Sequence, residues 1–115
     1  MQTITTEELR QFIAHHTDGA IINVLDQTSY EAKHIPGSIN VPLSDPDFTD
    51  QVERRAAGKD APVVVYCASE DCNASEKAAR QLRSAGFTDV RDYTLGVQGW
   101  EIEGYQLQGD NVHTS

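Results

Sequence analysis

Apolar and polar positions change their period several times along this chain, and each change marks an element. Leu9, Phe12 and Ile13 recur at helical spacing, and Thr5 stands three residues before Glu8 in the pattern of a capping box. A first helix is therefore predicted to run to about His16. Residues 20–25 and 61–66 are short, mostly apolar and rich in branched side chains, which suits strands buried on both faces of a parallel sheet. Residues 38–42 and 89–93 are weaker strand candidates, and residues 49–57 and 96–103 are candidates for short helices. From Ala74 onward, Ala74, Ala78, Leu82 and Ala85 share one helical face and Gly86 supplies a stop. Strands alternating with helices imply crossover connections and a layered α/β fold, whose ligands bind beyond the carboxyl ends of the strands. No repeat, low-complexity tract or linker interrupts the pattern. The polar stretch from Gly109 reads as a frayed end, so the expected organisation is one domain over residues 1–109 and a short flexible tail over 110–115.

Composition narrows the partners. One domain is the expectation for 115 residues. The 18 acidic residues outnumber the 9 basic ones for a formal charge of −9, which argues against nucleic acid and anionic membrane surfaces; solubility alone accounts for the excess. No apolar run has the length of a membrane-spanning helix, and Met1-Gln2-Thr3-Ile4 lacks the features of a signal peptide, so a cytoplasmic location is expected. Two cysteines in one short segment do not form the framework of a small secreted protein, and a reducing compartment would leave both as thiols.

Those cysteines fall where chemistry is expected. Val63-Val64-Val65-Tyr66 runs into Cys67, a polar loop holding Cys72, and then the helix from Ala74. Cys67 is thus predicted at a strand end facing a helix N-terminus, where backbone N–H groups and the helix dipole stabilise a thiolate or another anion. The plain alternative is a cysteine that only fills space, since free cysteine is often buried and inert.

Five segments in order resemble the rhodanese-like (sulfurtransferase) domain, from Thr5 to about Gly109. Residues 22–25 stand where that family writes an Asp-Val-Arg strand end. Tyr30 to Pro42, containing His34-Ile35-Pro36-Gly37-Ser38, is similar to its Gly-His-Ile-Pro-Gly-Ala signature, and Val64-Val65-Tyr66-Cys67 to the strand bearing its nucleophile. Ser75 with Ala78 and Ala79 resembles the following helix, and Leu95-Gly96-Val97-Gln98-Gly99-Trp100 its Gly-Gly-x-x-x-Trp turn. The resemblance implies a three-layer α/β/α fold around a central, mostly parallel five-stranded sheet. It also implies a nucleophile at Cys67 that accepts a sulfane sulfur as a persulfide and passes it to a thiol, with no cofactor. Backbone N–H groups of Ala68, Ser69, Glu70, Asp71, Cys72, Asn73 and Ala74 would then cradle the sulfur.

The loop departs from the family pattern in ways that bear on substrate. It is about two residues longer, and no Lys or Arg lies between Cys67 and Ser75, where the family commonly places an Arg. Glu70 and Asp71 add negative charge, which works against a thiolate and repels doubly charged donors, so thiosulfate is a doubtful substrate and a persulfide or polysulfide fits better. Cys67-x-x-x-x-Cys72 resembles a subgroup with a second loop cysteine. Cys72 could attack a Cys67 persulfide, or could pack as a small hydrophobe. Two cysteines with no second Cys or His pair supply too few ligands for a metal. His34 is expected to hold the Pro36-Gly37 turn, Asn73 to cap the helix with Ser75 donating in its first turn, Trp100 to anchor the last helix, and His15 and His16 to be solvated. A catalytically silent interaction or regulatory module and a Cys67/Cys72 dithiol redox switch are the rival readings. A protein partner that gives or takes sulfur is implied, and the sequence does not fix the oligomeric state.

Overall fold

The computed structural model describes residues 2–15 and 19–110. His16 and positions 111–115 of the expected tail lie outside the described residues. In chain order the elements are β1 (Gln2–Thr3), α1 (Thr6–His15), β2 (Ala20–Asn23), α2 (Gln27–Ala32), β3 (Ile39–Asn40), α3 (Phe48–Arg55), β4 (Val63–Tyr66), α4 (Ala74–Ser84), β5 (Val90–Tyr93) and α5 (Gly96–Ile102). The five strands form one sheet in the order β1-β5-β4-β2-β3, with every neighbouring pair parallel.

Local chemistry explains the boundaries. The capping box at α1 is made in full: the Glu8 N–H donates to Thr5 Oγ1 at 3.1 Å and the Thr5 N–H to Glu8 Oε1 at 3.0 Å. Two elements were not anticipated. α2 starts at Asp26, whose carboxylate accepts from the Ser29 N–H at 2.7 Å, but its six residues bury no side chain and so carry no apolar stripe. β1 is a two-residue edge strand, too short to show a period, that joins the sheet through pairing with Arg91 and Asp92.

Side chains alternate across the sheet to make two cores. Val63, Val65 and Cys67 face Val52 of α3 and Ala78, Ala79 and Leu82 of α4, while Val64 and Tyr66 face Leu9 and Phe12 of α1 and Val97 and Trp100 of α5. All four residues of β4 are fully buried, which is why this strand reads as a continuous apolar run. Burying each of its valines contributes ~1.5–3 kcal/mol relative to exposure. The far end of the chain packs back onto α2: His34 and Gln108 form an isolated antiparallel bridge, and the Asp110 N–H, expected in the tail, donates to the Glu31 carbonyl at 2.8 Å. Among the described residues, no helix is long and apolar enough to cross a membrane.

From β2 the chain moves outward to β3, and from β4 it moves the other way to β5. The strand order therefore reverses between β2 and β4, and in open α/β sheets ligands bind beyond the carboxyl ends of the strands at such a reversal.

Candidate active site

Cys67 is the first residue after β4, at that reversal, and is 1% exposed. The chain from Cys67 to Asn73 curls back on itself, with the Cys72 N–H donating to the Ser69 carbonyl at 3.1 Å. This turn brings Cys72 onto Cys67: the two are paired as a disulfide with their Cα atoms 6.4 Å apart, a span five residues of curled loop can close. Cys72 is half-buried and packs with Ala74 against the α3/α4 core.

The surroundings of the Cys67 sulfur are rich in oxygen. The Cys72 carbonyl lies at 3.4 Å, Ser75 Oγ at 3.7 Å and the Ser69 carbonyl at 3.9 Å. Of the loop residues expected to line the site, Ser69 and Cys72 thus reach the sulfur through their carbonyls. Ala68, Glu70, Asp71 and Asn73 are exposed, and both loop acids turn to water.

Asn73 occupies the position before α4, but its side chain makes no capping bond. Its backbone carbonyl accepts from the Lys77 N–H at 3.1 Å instead. Ser75, in the first turn of α4, is buried; its hydroxyl lies 3.7 Å from the Cys67 sulfur and acts on the carboxyl of Asp92 on β5, lowering it against the effect of burial.

The loop is held from its other side by the start of α5. The Val97 N–H donates to the Cys67 carbonyl at 3.0 Å and the Gln98 N–H to the Ala68 carbonyl at 2.8 Å. Such close approach of two backbones needs a residue without a Cβ, and Gly96 is that residue. Its φ is +64°, and an added Cβ would sit 2.7 Å from the Ala68 carbonyl carbon, 2.8 Å from the Ser69 nitrogen and against the Cys67 carbonyl oxygen.

Below the loop, Tyr66 ties the sheet to the Pro36-Gly37 turn. Its hydroxyl lies 2.7 Å from Ser38 Oγ and accepts from the Ile35 N–H at 3.0 Å; burial raises its pKa above the ordinary phenol value. His34 stacks on Tyr30 with ring centroids 3.9 Å apart, and its Nδ1 lies 2.6 Å from the Tyr30 carbonyl, as a turn-holding role requires. Trp100 is buried and donates from Nε1 to the Gln106 carbonyl at 3.0 Å, anchoring α5. Asn23 accepts from the Leu25 N–H through Oδ1, and its buried Nδ2 has no hydrogen-bond partner among the described residues.

A family profile for the rhodanese-like domain matches residues 5–103, a span that contains the β4 strand, the cysteine loop and the α5 clamp. The chain belongs to the rhodanese-like domain family. Among its relatives in sequence, it is 32% identical over 102 residues to the uncharacterized protein YqhL of Bacillus subtilis, covering 87% of this chain and 72% of that protein. It is 38% identical over 80 residues to the thiosulfate sulfurtransferase GlpE of Pseudomonas fluorescens (strain SBW25), covering 70% of this chain and 68% of that protein. In structure it resembles the BH2092 protein of Bacillus halodurans, with a TM-score of 0.82 at 24% identity over 96% of this chain and 79% of that one. Within the rhodanese-like fold, then, Cys67 stands at the strand end that the resemblance assigns to the nucleophile.

Asp92 was missed in the sequence, and Ser75, read as a first-turn donor, was not placed beside the sulfur, although the signal was there. Ser75 precedes Ala78, Ala79 and Leu82 by three, four and seven positions, which places it on the buried stripe of α4. Asp92 follows the buried Val90 by two, which places it on the inward face of β5.

Proposed function

We propose that this rhodanese-like domain is a sulfurtransferase or sulfur carrier that loads a sulfane sulfur on Cys67 and passes it to a thiol acceptor, a small molecule or a partner protein. The observation that carries the reading is the position of Cys67 at the carboxyl end of β4, where the strand order reverses and where α4 and α5 converge on one curled loop. The membership in a family whose relatives include a named thiosulfate sulfurtransferase supports the general class of activity.

The chemistry balances without a cofactor. The Cys67 thiolate attacks the outer sulfur of a persulfide R–S–SH, the donor S–S bond breaks, and RS⁻ leaves and takes up the proton that Cys67 gave up. The products are Cys67–S–SH and RSH. An acceptor thiolate then attacks the outer sulfur and regenerates Cys67. Thiosulfate suits the site poorly, because a dianion would meet a loop with no Lys or Arg between Cys67 and Ser75.

Cys72 supplies a second outcome. Its thiolate attacks the inner sulfur of the Cys67 persulfide, sulfide leaves, and the Cys67–Cys72 disulfide forms. The sulfane sulfur is reduced, the two thiols are oxidised, and a dithiol reductant such as a reducing cytoplasm provides resets the pair. The Cα separation of 6.4 Å supports this role, and it supports equally the rival reading of a dithiol redox switch. The amides of residues 68–74 act as a sulfur cradle in this proposal only once the loop has rearranged from the carbonyl-lined geometry described above.

Intact mass and peptide mapping after the reduced protein meets a cysteine persulfide donor test the proposal. One sulfur added at Cys67, absent in Cys67→Ser and longer-lived in Cys72→Ser, is the expected result. No added sulfur in the wild type, with a disulfide that still forms and reduces reversibly, would leave the redox switch. A wild type inert in both respects would leave the silent interaction module.

A further inference from the structure

Asp92 is a buried carboxylate that the sulfur chemistry above does not use. It is 1% exposed, its Oδ1 has no hydrogen-bond partner among the described residues, and it pairs with Val65 of β4 in register, on the sheet face that also carries Cys67, where the Ser75 hydroxyl acts on its carboxyl. That hydroxyl lies 3.7 Å from the Cys67 sulfur, so a single side chain separates the nucleophile from a second acid. Burial, first, and the charge of Glu76 on α4 push Asp92 above the ordinary carboxylate value, while the Ser75 bond pulls it down. Its strand neighbour Arg91 does not compensate it, because Arg91 points to the opposite face, bonds Asp89 at 3.0 Å and lies over the Phe12 ring. The exposed acids Glu70 and Asp71 on the loop have the same sign, and the nearest partners of the sulfur besides Ser75 are carbonyl oxygens.

When Asp92 is ionised, an anion formed at Cys67, or brought to it, meets its negative charge through a low-dielectric path that salt screens little. Resting on the sulfurtransferase reading of Cys67, we propose that Asp92 determines which donors the site accepts: acting through Ser75, its carboxylate restricts Cys67 to sulfur compounds that are uncharged at the transferred sulfur, such as a protonated persulfide or an organic polysulfane, and rejects anions. Asp92 is a positioning residue in this scheme. It touches neither donor nor reacting sulfur, and its effect on the thiolate is transmitted by the serine.

A pair of nearly isosteric alkylating probes reads this directly, iodoacetamide being neutral and iodoacetate anionic. In the reduced Cys72→Ser protein, the rate of modification mapped to Cys67 is followed against pH with each probe, at about 0.5 M salt to screen Glu70 and Asp71. The expected result is a preference for the neutral probe about tenfold greater than that of 2-mercaptoethanol, a neutral free thiol. Asp92→Asn, isosteric and uncharged, is expected to remove that excess by raising the rate with iodoacetate and to bring the half-rise of alkylation to lower pH, with the limiting rate of the neutral probe at high pH unchanged. A merely structural role for Asp92 would move the limiting rates of both probes together and leave their ratio unchanged. A neutral-to-anionic ratio in the Asp92-containing protein equal to that of the free thiol overturns the proposal without any reliance on the variant. So does a folded Asp92→Asn protein, checked by its thermal transition, with an unchanged ratio and pH profile. Alkylation involves no sulfur transfer, so a charge filter found in a protein that never forms a persulfide would refute the sulfurtransferase reading alone.

Discussion

The clamp between α5 and the cysteine loop makes a quantitative prediction for Gly96→Ala. At φ +64° an alanine pays the left-handed backbone penalty, ~1–2 kcal/mol. Its Cβ would also stand 2.7 and 2.8 Å from backbone atoms of Ala68 and Ser69, which have no rotamer with which to yield. Overpacking of this kind costs about 1–3 kcal/mol more. Gly104 is the matched control, because it too has positive φ, +86°, but an added Cβ there would meet nothing within 4 Å. Gly104→Ala should lose only the backbone part, so the expected difference between the two variants is ~1–3 kcal/mol. Urea unfolding with a common slope measures that difference. Hydrogen exchange at Val97 and Gln98, whose N–H groups bond the Cys67 and Ala68 carbonyls, shows whether the strain is released by opening the loop. Equal losses in the two variants, or unchanged protection at Val97 and Gln98, would refute the claim that Gly96 is required for the approach of α5 to the loop.

Other predictions follow from polar groups and their partners. Tyr66→Phe removes the acceptor of the Ile35 N–H and the partner of Ser38 Oγ, so it should cost ~1–3 kcal/mol in urea unfolding; a loss indistinguishable from zero would mean that those groups find other partners. Asp26 and Asp92 should show opposite pH dependences. The backbone bond from Ser29, reinforced by its side chain, lowers Asp26 from 3.8, so its contribution to stability is present above 3.8 and lost as pH falls through the lower folded value. The stability gap between wild type and Asp26→Ala should close in that acid range. Burial raises Asp92 from 3.8, so the folded state is penalised only as pH rises from 3.8 through the higher folded value. Asp92→Asn should therefore gain on the wild type in passing from acid to neutral pH, and a constant difference across that range would show that the two states bind the proton equally.

Much of the architecture was legible because its signals are local and redundant. β4 and β2 are buried on both faces and so are apolar without interruption, α1 announces itself by a complete capping box, and α4 by a stripe that ends at a glycine with φ +102°. α2 and β1 escaped notice because neither has a period to read: one buries nothing and the other has two residues. The place of Cys67 was legible from a strand running into a cysteine, and the family motifs added the fold around it. The orientation of the loop was not, because whether a peptide presents its N–H or its C=O to a neighbour leaves no trace in residue identity. Ser75 and Asp92 were visible as positions on inward faces, but polar residues there look like exceptions to an apolar pattern until the sheet and helix are stacked and the two side chains meet.

The central claim is that Cys67 carries sulfur to another thiol. Its most direct test is to load the Cys72→Ser protein with a persulfide donor, remove the donor, and add 2-mercaptoethanol as acceptor while mapping Cys67 by mass. The account predicts that the extra sulfur leaves Cys67 and appears on the acceptor in equal amount, with Cys67 regenerated as a thiol. Sulfur that never loads, or that stays on Cys67 while the acceptor remains unmodified, would contradict it.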